Sequence, residues 1–339
     1  MNPPRFQAIT GKYRKLRIAV VGDFCLDRYL EIDPAKGEIS IETGLPVHNI
    51  VNIRSQPGGA GTIVNNLVAL GVGEIYPVGF AGEDGEGFEL MRSLRALRNV
   101  KAEAFFTTAG RRTFTYIKPL VVCAGKTPRE LNRLDVKNWT ATPEAVQSKI
   151  AGAVRKLAAK VDAVVVMDQA ERAETGVVTS RVLEVIRAIT RQRPELIIVA
   201  DSRRGLKDFP KVCLKMNRAE LRALAGAAKT SSLGEIKAAA LALAGRQGKN
   251  CFVTLAGKGM LGASPEGEMV HLPALPLRGP IDIVGAGDSV TANLTAALAA
   301  GGGLREALEI ANAAASVVIH KLGTTGTASI AEISGLTGL

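Results

Sequence analysis

Asp288 is the penultimate residue of the segment Ile281-Asp282-Ile283-Val284-Gly285-Ala286-Gly287-Asp288-Ser289, in which an apolar patch runs into a turn of small residues. A helical pattern follows at once, Val290-Thr291-Ala292-Asn293-Leu294. Glycines let main chain approach a ligand closely, and the unpaired N–H groups of a first helical turn attract phosphate oxygens. A carboxylate beside such an anion cradle can take a proton from a hydroxyl. Cradle plus base is what phosphoryl transfer to an alcohol requires, because that chemistry rests on positioning and charge stabilisation. The plainer reading is an acidic residue placed at the positive end of a helix dipole.

Three more groups could join that chemistry. Asp23 and Asp27 follow the apolar run Arg17-Ile18-Ala19-Val20-Val21-Gly22, at the strand end where open α/β sheets bind ligands. They suit hydrogen bonds to sugar hydroxyls, or they simply shape a turn. Pro57-Gly58-Gly59-Ala60-Gly61 opens a helix with a main chain bare enough to lie against a substrate, although a tight turn explains it nearly as well. Asn217-x-x-Glu220 follows a strand; it reads as a capping box or as oxygen ligands for a hydrated Mg²⁺ beside phosphate. Two other motifs fail. Gly125-Lys126-Thr127 lacks the earlier glycine of a P-loop, since position 120 is Leu120. Gly257-Lys258-Gly259-Met260-Leu261-Gly262 has dinucleotide spacing, but Ser264-Pro265 stands where a helix should begin, so a hairpin is expected.

The elements that hold these residues are those of an α/β protein. In 339 residues, 47% hydrophobic, there is material for one large α/β unit. Apolar strands are expected at Lys15–Gly22, Ile75–Gly79, Val161–Met167, Leu196–Ala200, Val212–Met216 and Phe252–Leu255. Helices are expected at Ala60–Leu70, Glu86–Leu97 (with Phe88 as a core contact), Val177–Ile189, Ala219–Ala225, Leu233–Leu243, Gly285–Ala300 and Leu304–Leu322. Near-continuous apolar strands alternating with helices imply a parallel sheet covered on both faces. Segments of about 31–57 and 100–134 break the pattern with short alternating stretches, which predict a small antiparallel sheet over a cleft. The basic start (Arg5, Lys12, Arg14, Lys15, Arg17) reads as a solvated arm and the tail Thr327–Leu339 as small and polar.

The net charge of +11 does not imply nucleic acid, given 4% aromatics and no nucleic-acid motif. Part of it, including Arg92, Arg95, Arg111, Lys118 and Arg133, could favour an anionic substrate. No apolar run is long enough for a membrane helix, the start lacks a secretion signal, and four scattered cysteines fit reduced thiols in a cytoplasm.

In this order and spacing, the residues resemble the ribokinase-like (PfkB) carbohydrate kinases from about Lys15 to Ile330. Asp282-x-x-Gly285-Ala286-Gly287-Asp288, the glycine pair, Asn217-x-x-Glu220, Val253-Thr254-Leu255 through Gly259, and Ala311-Asn312-Ala313 carry the resemblance. Val21-Gly22-Asp23-Phe24-Cys25-Leu26-Asp27-Arg28-Tyr29, Leu131-Asn132-Arg133-Leu134-Asp135 and Lys321-Leu322-Gly323-Thr324-Thr325 are similar to the heptose-phosphate kinase branch. The resemblance implies a three-layer α/β/α fold with a mainly parallel central sheet, one kinase domain over 1–339, and a small β-sheet lid that pairs two copies as a homodimer. It implies ATP and Mg²⁺, with Asp288 as general base. Gly285 would open the catalytic turn, and the N–H groups of Ala286, Gly287 and Asp288 would surround the transferred charge. Asn217 and Glu220 would place Mg²⁺ through water. Thr254, Gly257, Gly259 and Asn312 would border the nucleotide. Asp23, Asp27, Gly58, Gly59, Thr62 and Arg133 would hold a sugar or sugar phosphate. Asp282, Val284, Val318, Lys321 and Gly323 would surround a monovalent cation such as K⁺. Departures from the family pattern are Thr62 for Asn, Val284 for Thr, Ala256 for Gly, and Asp201-Ser202-Arg203 for Asp-Pro-Lys. A fructose-phosphate or nucleoside kinase, and a non-catalytic sugar or nucleotide binder on this scaffold, are the alternatives.

Overall fold

A computed structural model describes residues 1–123, 125, 128–225 and 232–338. Lys126 and Thr127 of the rejected P-loop motif lie outside the described residues. The main sheet has nine strands among the described residues, in the spatial order 269–272, 260–263, 251–254, 213–217, 197–202, 163–168, 17–22, 74–82 and 105–108. The seven strands from Cys251–Thr254 to Phe105–Thr108 run parallel. The other two form an antiparallel hairpin edge, as the failed dinucleotide motif predicted.

Side-chain alternation along the strands splits the core into two layers. Ile18, Val20, Ala163, Val165 and Met167 face the helices Ala60–Ala69, Ala286–Ala299 and Leu304–Val318. Ala19, Val21, Val164 and Val166 face Glu144–Ala158, Ser180–Gln192 and Leu233–Gln247. Burying both faces is what allows the strands to be apolar almost throughout.

A second sheet stands off one end of the first. Its order is 134–136, 114–121, 24–32 and 50–59, with 129–130 paired to 114–121. Several expectations need correction here. The small sheet is mixed, because Phe24–Ile32 and Phe114–Val121 run parallel. It begins at Phe24, one residue beyond Asp23, rather than near position 31, and Phe105–Thr108 belongs to the main sheet. The basic start is no solvated arm: Pro3–Thr10 is a helix that buries Phe6 and Ile9, with Arg5 paired to Glu306 at 2.6 Å. The tail contains the helix Ile330–Thr337, closed by a Ser329–Glu332 capping box and anchored by buried Ile333. Phe88 is 69% exposed; Leu90, Met91 and Leu94 make that helix's core face. Among the described residues, no helix is long and apolar enough to cross a membrane.

Candidate active site

The turn before Asp288 is built around Gly285, whose φ of +80° is the left-handed conformation glycine adopts at little cost. The helix Ala286–Ala299 starts there with no side-chain cap. Ala286 N–H donates to the Ile283 carbonyl at 3.2 Å. The N–H groups of Gly287 and Asp288 have no acceptor among the described residues, so two donors point out of the first turn instead of the three expected.

Asp288 is half-buried at this turn. Burial pushes its carboxyl up to about 7, Lys215 pulls it back, and Asp201 and Asp27 push it further up. A carboxylate tuned to neutrality is suited to general-base work. Lys215 comes from the strand Cys213–Asn217, and its ammonium meets Asp201 Oδ2 at 2.6 Å. Burial acts against the lysine's charge, but the Asp201 carboxylate outweighs it and holds the pKa above its ordinary value. Thr291 Oγ1 also donates to Asp201 Oδ2, at 3.2 Å. A Cβ placed on Gly287 would lie 3.1 Å from Lys215 Nζ, so this cation sits directly under the anion turn.

Asp27 projects from the small sheet with 6% exposure. Thr325 Oγ1 donates to its Oδ2 at 3.4 Å and Lys118 Nζ lies at 3.7 Å. Burial raises the Asp27 pKa against the pull of Lys118. Gly58 is required beside it, because a Cβ there would lie 2.8 Å from Asp27 Cγ and 2.7 Å from Cys25 Sγ. Gly59, at φ +57°, turns the chain from strand into the helix Ala60–Ala69.

Asp23 does something else. It is 2% exposed, and its carboxylate accepts the main-chain N–H groups of Gln169 and Ala170 at 2.8 Å each and Val177 at 2.6 Å. It ties the first strand to the connection beyond Ala163–Asp168, and both of its oxygens are committed to main chain instead of a sugar. Thr62 is also buried; its methyl lies 3.5 Å from where a Cβ on Gly285 would stand, so it packs under the anion turn. Arg133, just before the outer strand of the small sheet, forms a two-pronged pair with Asp135 at 2.7 and 2.8 Å and lies over the Tyr116 ring at 4.9 Å.

Asn217 and Glu220 form the reciprocal capping box: Glu220 N–H donates to Asn217 Oδ1 at 2.9 Å, and Asn217 N–H to Glu220 Oε2 at 2.7 Å. Glu220 nonetheless faces the site. Burial and the nearby Asp201 raise its pKa, while Lys215 and Arg203 oppose them. Carboxylate and amide oxygens of this kind fit hydrated Mg²⁺. No group of three or more acidic, His or Cys side chains able to hold a metal occurs among the described residues.

Thr254 lies beside Asn217 in strand register. Gly257 is in the open turn that follows, and Gly259 (φ +88°) lies so close to the Leu272 carbonyl that a Cβ would collide with it. Ala256 holds φ +50°, a conformation that glycine adopts at less cost than any other residue. Asn312 donates to the Pro273 carbonyl at 2.9 Å and pins the loop that leads to the anion turn. Asp282 accepts the N–H of Val284 at 3.0 Å and of Gly323 at 3.3 Å. The Val318 carbonyl takes the Lys321 N–H at 3.0 Å, and Lys321 Nζ reaches Glu332 at 2.6 Å. Val284 and Gly323 therefore meet at Asp282, whose own N–H donates to the Ile319 carbonyl at 2.7 Å, while Val318 and Lys321 are paired with one another.

Sequence reasoning missed Lys215, Asp201 and Thr325 as parts of this arrangement. The signal that could have found the first of them was a lysine inside the otherwise apolar strand Cys213-Leu214-Lys215-Met216, since lysines are rarely buried without a partner.

Comparison with known proteins agrees with this geometry. A profile described as "pfkB family carbohydrate kinase" matches residues 16–331. "Bifunctional protein HldE" of Gluconobacter oxydans is 31% identical over 95% of this chain and 64% of its own length. The protein of the same name from Azorhizobium caulinodans is 33% identical over 91% of this chain and 61% of its own. The chain thus spans under two thirds of these relatives. Arabidopsis thaliana ribokinase, solved with ribose and ATP, superposes with a TM-score of 0.68 at 20% identity, covering 95% of this chain and 98% of that one. Escherichia coli phosphofructokinase-2 in complex with substrates and products superposes with a TM-score of 0.72 at 18% identity over the same shares. The chain belongs to the pfkB family of carbohydrate kinases.

Proposed function

We propose that this protein transfers the γ-phosphoryl group of ATP to a hydroxyl of a sugar or sugar phosphate, with Asp288 as the general base. The observation that carries the reading is a carboxylate tuned to about 7 at a helix start whose next free donors are its own N–H and that of Gly287. Asp288 takes the proton from the acceptor hydroxyl as that oxygen attacks phosphorus. The two N–H groups and the Lys215 ammonium beneath them stabilise the charge that develops on the phosphoryl oxygens, a preorganised electrostatic role. Asp27, with the bare main chain of Gly58 and Gly59, holds the acceptor. Mg²⁺, when bound, would neutralise phosphate charge; Glu220 and Asn217 are the residues that would place it through water. Thr254, Gly257, Gly259 and Asn312 border the nucleotide. Asp282, with Val284, Val318, Lys321 and Gly323, forms a candidate K⁺ site whose structural role is to brace the anion turn.

The likeness to heptose-phosphate kinases, together with the matches to proteins named HldE, makes a heptose phosphate the first acceptor to try. The small sheet exposes Ile50, Ile53 and Leu134 at 45, 54 and 58%. That surface supports pairing with a second copy through the lid, which sedimentation of the purified chain tests directly. Function is tested by ADP release with Mg·ATP and K⁺ across sugars, sugar phosphates and nucleosides. Acceptor-dependent ADP release with one sugar class is expected. ATP binding with no acceptor raising the rate would refute the reading.

A further inference from the structure

The loop Gly323-Thr324-Thr325, between the helices Leu304–Val318 and Ile330–Thr337, touches three parts of the site that are remote in sequence. The Gly323 carbonyl accepts Arg54 of the small sheet at 3.4 Å, and the Gly323 N–H donates to Asp282 at 3.3 Å. Thr324 Oγ1 donates to Gln56 Oε1, also on the small sheet, at 3.2 Å. Thr325 is 8% exposed and turns its two branches to different tasks. Its hydroxyl reaches Asp27 Oδ2 at 3.4 Å and the Tyr29 hydroxyl at 3.5 Å. Its methyl fills the space over Gly285, where a Cβ would collide with it.

Every polar contact of this loop to the small sheet and to Asp27 lies between 3.2 and 3.5 Å. That is several tenths of an ångström longer than an optimal hydrogen bond. The loop is therefore in register with the acid that would hold the acceptor and with the turn that would hold the phosphoryl group, but it is not drawn tight against either. A small shift of the lid can shorten all of these contacts together, because the loop is the common partner. Active-site hydrogen bonds that are long without substrate commonly tighten in the reacting complex.

We propose that Thr325 is a positioning residue that couples acceptor recognition to the anion turn. The inference rests on the kinase reading above. When the acceptor draws Asp27 and the small sheet inward, the Thr325 hydroxyl follows Asp27. Its methyl then fixes the Gly285 turn, so the N–H groups of Gly287 and Asp288 aim at the terminal phosphoryl group.

The two branches can be removed separately. Thr325→Val keeps the methyl and deletes the hydroxyl; Thr325→Ser keeps the hydroxyl and deletes the methyl. The valine variant is expected to raise the acceptor KM about tenfold, the size of one lost hydrogen bond to a charged group, and to lower kcat as well, because the turn no longer receives the movement of Asp27. The serine variant is expected to leave the acceptor KM near wild type and lower kcat about tenfold. It should also lose preference for ATP over ADP in direct binding, since the turn it loosens contacts only the terminal phosphoryl group. A valine variant that keeps wild-type kcat, or no change in either variant, would overturn the coupling and leave Thr325 as packing. If no acceptor supports turnover by the wild-type protein, the kinase reading fails instead. The ATP-to-ADP affinity ratio of Thr325→Ser then still decides the matter, and an unchanged ratio overturns the proposal.

Discussion

Replacing Lys215 by Met tests the electrostatics of the site with little change of side-chain volume. Lys215 and Asp201 form a buried pair at 2.6 Å, and the lysine is the main influence holding the Asp288 pKa down against burial. Two effects follow from its loss. Asp201 is left buried beside Asp288 without its counter-charge, a change worth about 3–5 kcal/mol of stability in comparable cases. The Asp288 pKa, already raised to about 7, moves higher. An opposite charge nearby lowers a carboxyl by about 1–3 units, so its removal should shift Asp288 by about one unit or more. A base must be ionised to act, so activity is lost as pH falls through this pKa. At pH 7 a shift from about 7 to about 8 cuts the ionised fraction from about a half to about a tenth, roughly a fivefold loss of rate. Raising the pH to 9 should recover that share. The assay is kcat/KM against pH at saturating Mg·ATP, for wild type, Lys215→Met and the double variant Lys215→Met/Asp201→Asn. The double variant removes the opposed influences of Lys215 and Asp201 on Asp288 together, so stability and the acid limb should both return toward wild type. An acid limb at the same pH in all three proteins, with a uniform drop at every pH, would refute the electrostatic coupling.

Three further outcomes follow from particular contacts. Glu220→Gln should raise the Mg²⁺ concentration for half-maximal activity about tenfold or more, because neutral oxygen is a poorer ligand for water on a hard cation; a lowered Tm with an unchanged Mg²⁺ titration would leave the capping box as its only role. Asp23→Asn sets an amide donor against main-chain donors and should cost about 2–4 kcal/mol in denaturant unfolding while acceptor KM stays within about threefold; a stable variant with a large KM defect would return Asp23 to the substrate site. Gly58→Ala should raise acceptor KM about tenfold or more, because its Cβ would press on Asp27 and Cys25; an unaltered KM would remove Asp27 from acceptor binding.

Much of this arrangement was legible in the chain. The apolar strands ending at Gly22, Met167 and Met216 located the parallel sheet, since burial on both faces leaves no alternative composition. The Gly285-Ala286-Gly287-Asp288 turn located the anion cradle, because only glycine accepts the backbone at position 285 cheaply. What was not legible depends on contacts between distant segments. Asp23 and Asp27 are equally acidic and four residues apart, yet one is consumed by main-chain donors from residues 169–177 and the other projects beside residue 325. No local pattern separates them. The parallel pairing of 24–32 with 114–121 was likewise invisible, because alternation reveals a strand and not its partner's direction. The N-terminal helix was hidden by the basic residues in and after it: Phe6 and Ile9 decide its burial, while Arg5 within it and Lys12, Arg14 and Lys15 beyond it dominate the appearance of the segment.

The most direct test is Asp288→Asn in a quenched, single-turnover assay of phosphoryl transfer from labelled ATP, with nucleotide affinity measured separately. Loss of the general base should slow transfer by a factor of about 10²–10⁴ and abolish the acid limb near pH 7, with ATP binding close to normal. Transfer at more than about a tenth of the wild-type rate, with the acid limb still in place, would contradict the assignment of Asp288 as the base.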